Sequence, residues 1–130
     1  MNQKFYDIVD IVCEKDQRYK RDAYDFVMES LSYAKKKFNC PRHVTGDELL
    51  ESIRELLLHK FGPMTMAVLK HWGINNTEDF GHVVFNLVEN KLLSKTQEDN
   101  IEIFRNRYDF EKVFHHGYRE QLARRISRMR

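Results

Sequence analysis

The stretch GINNTEDFGHVVFNLVENKLLSK, residues 73–95, decides how the chain is read. Gly73 can close one helix, GINN supplies a turn, and Thr77 is placed to cap the helix that follows. Phe80, Val83, Val84, Leu87 and Val88 put apolar groups on more than one side of that helix, which predicts deep burial. Gly81, near its start, leaves room for another backbone to come close. Beyond Leu92 the spacing changes. Ile101-Glu102-Ile103-Phe104 alternates with period two, so residues 92–95 and 101–104 are expected to pair as a small β-hairpin.

Upstream of this stretch the period is helical throughout. Phe5, Ile8, Val9 and Val12 form one stripe from Lys4 to about Lys15, and Ala23, Phe26, Val27, Leu31, Ala34 and Phe38 form another. The second helix ends in Lys35, Lys36 and Lys37, cations that suit the negative end of a helix dipole. Pro41 breaks the chain, and Thr45 with Glu48 has the spacing of a capping box. A third helix carries Leu49, Leu50, Ile53, Leu56, Leu57 and Phe61 until Gly62-Pro63 stops it and starts a short fourth helix, PMTMAVLKHW. Trp72 is expected to anchor the core at that corner. A last helix begins near Asp109 with Phe110, Val113 and Phe114. The fold expected is mainly α, about six helices with a small β-hairpin. Residues 1–117 would form one compact helical domain and 118–130 a basic C-terminal tail or docking helix.

Composition bounds the function classes. With 130 residues, 42% of them hydrophobic and 12% aromatic, the chain has the size and apolar content of one ordinary domain. No apolar run approaches the roughly 18 residues that a membrane span requires, and the N-terminal MNQKFYDIVDIV carries acids inside its apolar stretch, so a cytoplasmic protein without membrane contact is expected. Cys13 and Cys40 lie far apart and predict reduced thiols. The net charge of +2 conceals an asymmetry: residues 118–130 hold five arginines against one glutamate, which leaves the rest of the chain slightly acidic.

Two resemblances follow from these blocks. Residues 63–72, the GINN turn, 77–92 and the expected hairpin at 93–104 resemble, in order, the first helix, turn, recognition helix and wing of a winged-helix arrangement covering about 45–107. HVTGDELLESIRELLLHKFGP, HWGINNTEDFGHVVFNLVENKLLSKTQED and RYDFEKVF are similar, in wording and order, to a small family of uncharacterised bacterial proteins found mainly in planctomycetes and verrucomicrobia. That likeness spans about 18–114. It implies no activity, because the family carries none that could be transferred to a residue.

A DNA-reading helix presents cations and amides from its first turns. Here 77–92 opens on Glu78 and Asp79 and holds Glu89 against Lys91 alone, a net −2 that opposes phosphate. Lys95, Arg105 and Arg107 in the expected wing are balanced by Glu98, Asp99 and Glu102. The function expected is therefore that of a non-catalytic protein-interaction or adaptor module on a winged-helix-like scaffold. Glu78, Asp79, His82 and Asn86 are its candidate partner-binding residues, and the partner is an unidentified protein. The alternative is a nucleic-acid-binding regulator that uses Arg119, Arg124, Arg125, Arg128 and Arg130 against phosphates. Least supported is a thiol enzyme using Cys40 near His43. Neither Cys40 with His43 nor the adjacent His115 and His116 has the paired spacing of a zinc site, so no metal, cofactor or catalytic residue is assigned.

Overall fold

Reciprocal caps start the two central helices. The computed structural model describes residues 3–39, 44–94 and 101–128. In it the Thr45 hydroxyl accepts from the Glu48 N–H at 3.1 Å while the Glu48 carboxylate accepts from the Thr45 N–H at 2.9 Å. This box opens α3 (Gly46–Phe61) where the Thr45 and Glu48 spacing places it. Before it come α1 (Gln3–Lys15) and α2 (Arg21–Lys37), both carried by the stripes read from sequence. Gly62 and Pro63 make a 3-10 turn (Gly62–Met64) that leads into α4 (Thr65–Trp72). Gly73 then adopts φ 86°, a left-handed cap, and the N–H groups of Gly73 and Ile74 donate to the carbonyls of Lys70 and Leu69 at 3.1 and 2.9 Å. The chain re-enters as α5 (Thr77–Glu89).

The core forms because these helices bring their apolar faces together. α2 lies along α3 and α5, and Val27, Ile53, Leu57, Val83 and Leu87 are completely buried with Tyr24. At one corner Trp72 packs against Phe26 and Phe61, with ring centroids 5.3 and 5.7 Å apart, which places it as the anchor that its position suggested. After α5, a 3-10 turn (Ile101–Phe104) and a π-helical turn (Glu111–His116) lead into α6 (Gly117–Arg128). Phe110 and Phe114 stack near Tyr108 and seat that last segment.

Two expectations are corrected here. Residues 101–104 form a 3-10 turn, and no strand occurs among the described residues, so the β-hairpin is not supported; its 95–100 portion lies outside them. The physical reason is a pair of glycine seats. A Cβ on Gly81 would stand 2.8 Å from Phe104 and 2.9 Å from Ile101, and one on Gly46 would stand 2.3 Å from Ile103. Three residues per turn direct these side chains onto α5 and α3. Apolar alternation in this segment reflects wedging between two helices and not ladder pairing.

The second correction concerns Thr77. Asn76 is the N-cap of α5: its side chain accepts from the Asp79 N–H at 3.1 Å, and the Asp79 carboxylate accepts from the Asn76 N–H at 3.3 Å. Thr77 is buried instead. Its hydroxyl donates to the Phe104 carbonyl and accepts from the Arg107 N–H, binding the 101–107 segment to α5.

Candidate functional site

The residues expected to meet a partner lie along α5, Glu78, Asp79 and His82 on its first turns and Asn86 near its end, and most of them are already engaged. The Asp79 carboxylate accepts from the Tyr19 hydroxyl at 2.6 Å and from the backbone N–H groups of Asn75 and Asn76. Burial raises the Tyr19 pKa, and the neighbouring Asp79 charge raises it further, so the phenol stays a donor. Asn86 donates to Asp16 and to the Tyr24 hydroxyl, both at 2.9 Å. The Arg18 guanidinium grips Asp16 through two nitrogens and, helped by Asn86, holds that carboxyl far below the usual carboxylate range. Burial pushes the Tyr24 phenol up to about 12. Tyr19 with Asp79, and Arg18 with Asp16, Asn86 and Tyr24, are two hydrogen-bonded sets joined where the Arg18 guanidinium lies 5.0 Å over the Tyr19 ring, and together they lock the α1–α2 loop onto α5.

Glu78 is taken up differently. Arg105 pairs with it and with Glu102, and Arg107 pairs with Asp47. His82 lies 3.7 Å from Glu78 on the half-exposed side of the helix. The expected free carboxylate face therefore does not exist as such: Asp79 and Asn86 point into the fold, and Glu78 is covered by an arginine. Each arginine arriving at this end is itself matched by a carboxylate, so no basic groove forms there among the described residues.

An open apolar surface lies elsewhere, between α2 and α4. A groove of about 480 Å³ has Phe26, Phe61, Ala67, Val68 and Trp72 among its lining residues, with Met64 at its lip. Met64 is 59% exposed, the most exposed of the large apolar side chains described. Asp22, Asp25 and Glu29 follow one another along α2 and give one wall of the groove an acidic rim. Glu29 is paired with Lys60 at 2.7 Å, and Asp25 accepts from the Tyr6 hydroxyl at 3.3 Å. Sequence spacing placed Phe26 and Phe61 on apolar helix faces and Trp72 in the core, and these residues were not read as a site. Their signal was nevertheless present: the short α4 is apolar at Met66, Ala67, Val68, Leu69 and Trp72, more than one face can bury.

The remaining candidates separate cleanly. Arg119, Arg124, Arg125 and Arg128 are exposed on α6, beside the exposed Leu122 and Ile126. Arg130, Cys40 and His43 lie outside the described residues. Burial raises the Cys13 thiol pKa, which disfavours the reactive thiolate. Among the described residues no cluster of three or more His, Cys, Asp or Glu is gathered for a metal, and no helix is long and apolar enough to cross a membrane. Compared with models of protein families, with curated proteins and with solved structures, the chain finds no match.

Proposed function

We propose that the protein is a non-catalytic interaction module whose α2–α4 groove holds an amphipathic helix of a protein partner. One observation carries this reading: an aromatic-floored groove stands open with Met64 exposed at its lip. Helix-in-groove recognition places apolar side chains at positions i, i+4 and i+7 into such a trough, and a flexible methionine adapts to their shape. The acidic rim on α2 selects for Arg or Lys flanking those anchors. The partner site moves from the α5 face, which is committed to the fold, to this groove. The winged-helix likeness narrows accordingly to the order of α4, turn and α5, used as a scaffold wall.

A display selection on the full chain with randomised helical peptides tests the reading. Enriched peptides should carry a paired apolar stripe with basic flanks and should bind an Ala67→Arg variant at least tenfold more weakly, while Gln17→Arg, on the α1–α2 loop, leaves binding unchanged. No enrichment, or binders indifferent to Ala67→Arg, sinks the groove as the partner site.

A second reading rests on the exposed arginines of α6, which could neutralise phosphates without regard to base sequence. Fluorescence anisotropy with random duplex at low salt, comparing the full chain with one ending at Gly117, decides it. Equal binding by both chains removes the helix from that role.

A further inference from the structure

We propose that the α2–α4 groove accepts α6 of a second copy of this chain, so that two chains exchange their C-terminal helices reciprocally. The proposal rests on the helix-binding reading of the groove and names its occupant. It starts from where apolar surface is left uncovered. Among the described residues five large hydrophobic side chains are exposed: Ile11, Tyr33, Met64, Leu122 and Ile126. Met64 marks the lip of the groove. Leu122 and Ile126, at 41% and 50% exposure, stand four residues apart on α6 and so share one face, with Ala123 between them. Among the described residues α6 packs chiefly against the turn that precedes it, and this stripe stays exposed.

Charge selects the pairing. Residues 118–130 carry five arginines and one glutamate, whereas the groove rim carries Asp22, Asp25 and Glu29 against Lys60. At about 100° per residue, Arg119 falls on the same side as Leu122 and Ile126, one turn earlier, and Arg125 falls at the edge of that side. With the stripe seated over Met64, Ala67 and Val68, these two guanidiniums reach the rim carboxylates. Arg124 and Arg128 face outward and contribute to long-range attraction only. Twelve residues of helix span about 18 Å, a length that the 17-residue α2 wall accommodates. Reciprocal exchange also doubles the area that one helix in one groove would bury, which favours a closed pair over a chain of copies.

Sedimentation velocity on the full chain, from micromolar to about 200 μM and at low and high salt, tests this. A concentration-dependent dimer is expected, weakened at least tenfold by raising the salt. Ala67→Arg, which blocks and repels within the groove, and the double variant Leu122→Ser with Ile126→Ser, which removes the stripe, should each be monomeric where the parent chain is dimeric. Both changes are at exposed positions, and unchanged circular dichroism melting checks that they fold. An equimolar mixture should form a heterodimer through the one intact helix and the one intact groove. A parent chain that stays monomeric throughout, or a dimer insensitive to either variant, overturns the proposal. The groove reading survives that result if displayed helices still bind the parent chain and bind the Ala67→Arg variant more weakly. A monomeric chain whose stripe-intact α6 instead captures random duplex also overturns the exchange, and assigns the arginines to phosphate.

Discussion

The polar side of α5 and the α2–α4 groove are opposite in kind. On α5 the polar groups are already taken: Asp79 is held by Tyr19 at the start of the helix and Asn86 by Asp16 near its end, where Arg18 also grips Asp16, and they leave little to offer a partner. In the groove, apolar groups of the sort that normally fill a core line an open trough beside carboxylates. Polar residues on a helix are thus not evidence of a binding face, and apolar ones are not evidence of a core. What separates the cases is whether each group finds its complement within the chain. A hydrogen-bonded network that is complete gains rigidity, whereas apolar surface without a counterpart gains by acquiring one.

The largest effect is expected at the residue that joins the two regions. Gly73 ends α4, holds φ 86°, and would place a Cβ 2.0 Å from the Arg18 carbonyl of the α1–α2 loop. Gly73→Ala should cost about 3 kcal/mol or more, since strain and a backbone clash add. Urea unfolding measures it, and a loss under about 1 kcal/mol would mean that the loop and α4 are not held against each other. Next comes Asp79→Ala, which removes a capping-box partner and strands the Tyr19 hydroxyl. A cost of about 2–3 kcal/mol is expected, with helical-peptide affinity in the groove unchanged. Lost groove binding together with small destabilisation would reverse the assignment of the two regions.

How far the chain could be read in advance varies along it for physical reasons. Helices set by local rules were readable: the Thr45 and Glu48 box, the Gly62-Pro63 break and the Gly73 cap depend on residues near one another. What failed depends on residues far apart. Ile101-Glu102-Ile103-Phe104 alternates as a strand does, but the seats that receive it are Gly46 and Gly81 on two separate helices. Thr77 has cap chemistry, yet its hydroxyl is claimed by Phe104 and Arg107 some thirty residues later. The candidate site suffered the same way. Spacing placed Glu78, Asp79, His82 and Asn86 together, but nothing local revealed that Tyr19 and Asp16 would occupy two of them. Thr77→Val tests the substitute for the hairpin directly. Losing a buried two-sided hydrogen bond and orphaning the Arg107 N–H should cost about 2 kcal/mol, read as a lower urea midpoint, while no change would leave the glycine seats alone to hold 101–107.

Acid sharpens the contrast because the α5 network contains a depressed carboxylate. Asp16 titrates lower in the folded chain than in the unfolded one, where the ordinary value is about 3.9. A lowered folded value contributes stability that is fully present above the unfolded value and is lost as pH falls through the folded one. Asp16→Asn should therefore be less stable than the parent chain by about 1–2 kcal/mol at pH 7. The gap should stay constant down to about pH 5 and close progressively below about pH 4. Urea midpoints at pH 7, 5 and 3 give the curve, and a gap that widens on acidification would remove Asp16 from the network.

The smallest effect is expected at Glu78, and its smallness is informative. Its side chain is 34% exposed and that of Arg105 is 48% exposed, so water and salt screen their attraction. Arg105 also keeps Glu102 when Glu78 is neutralised. Glu78→Gln should change stability by no more than about 0.5 kcal/mol, and that difference should shrink further in high salt. Two carboxylates adjacent in sequence, Glu78 and Asp79, would then differ about fivefold in what they contribute, because only the second is built into the fold. A cost above 1 kcal/mol at Glu78 would show that the arginine cover is structural as well, extending the closed region across the whole first turn of α5.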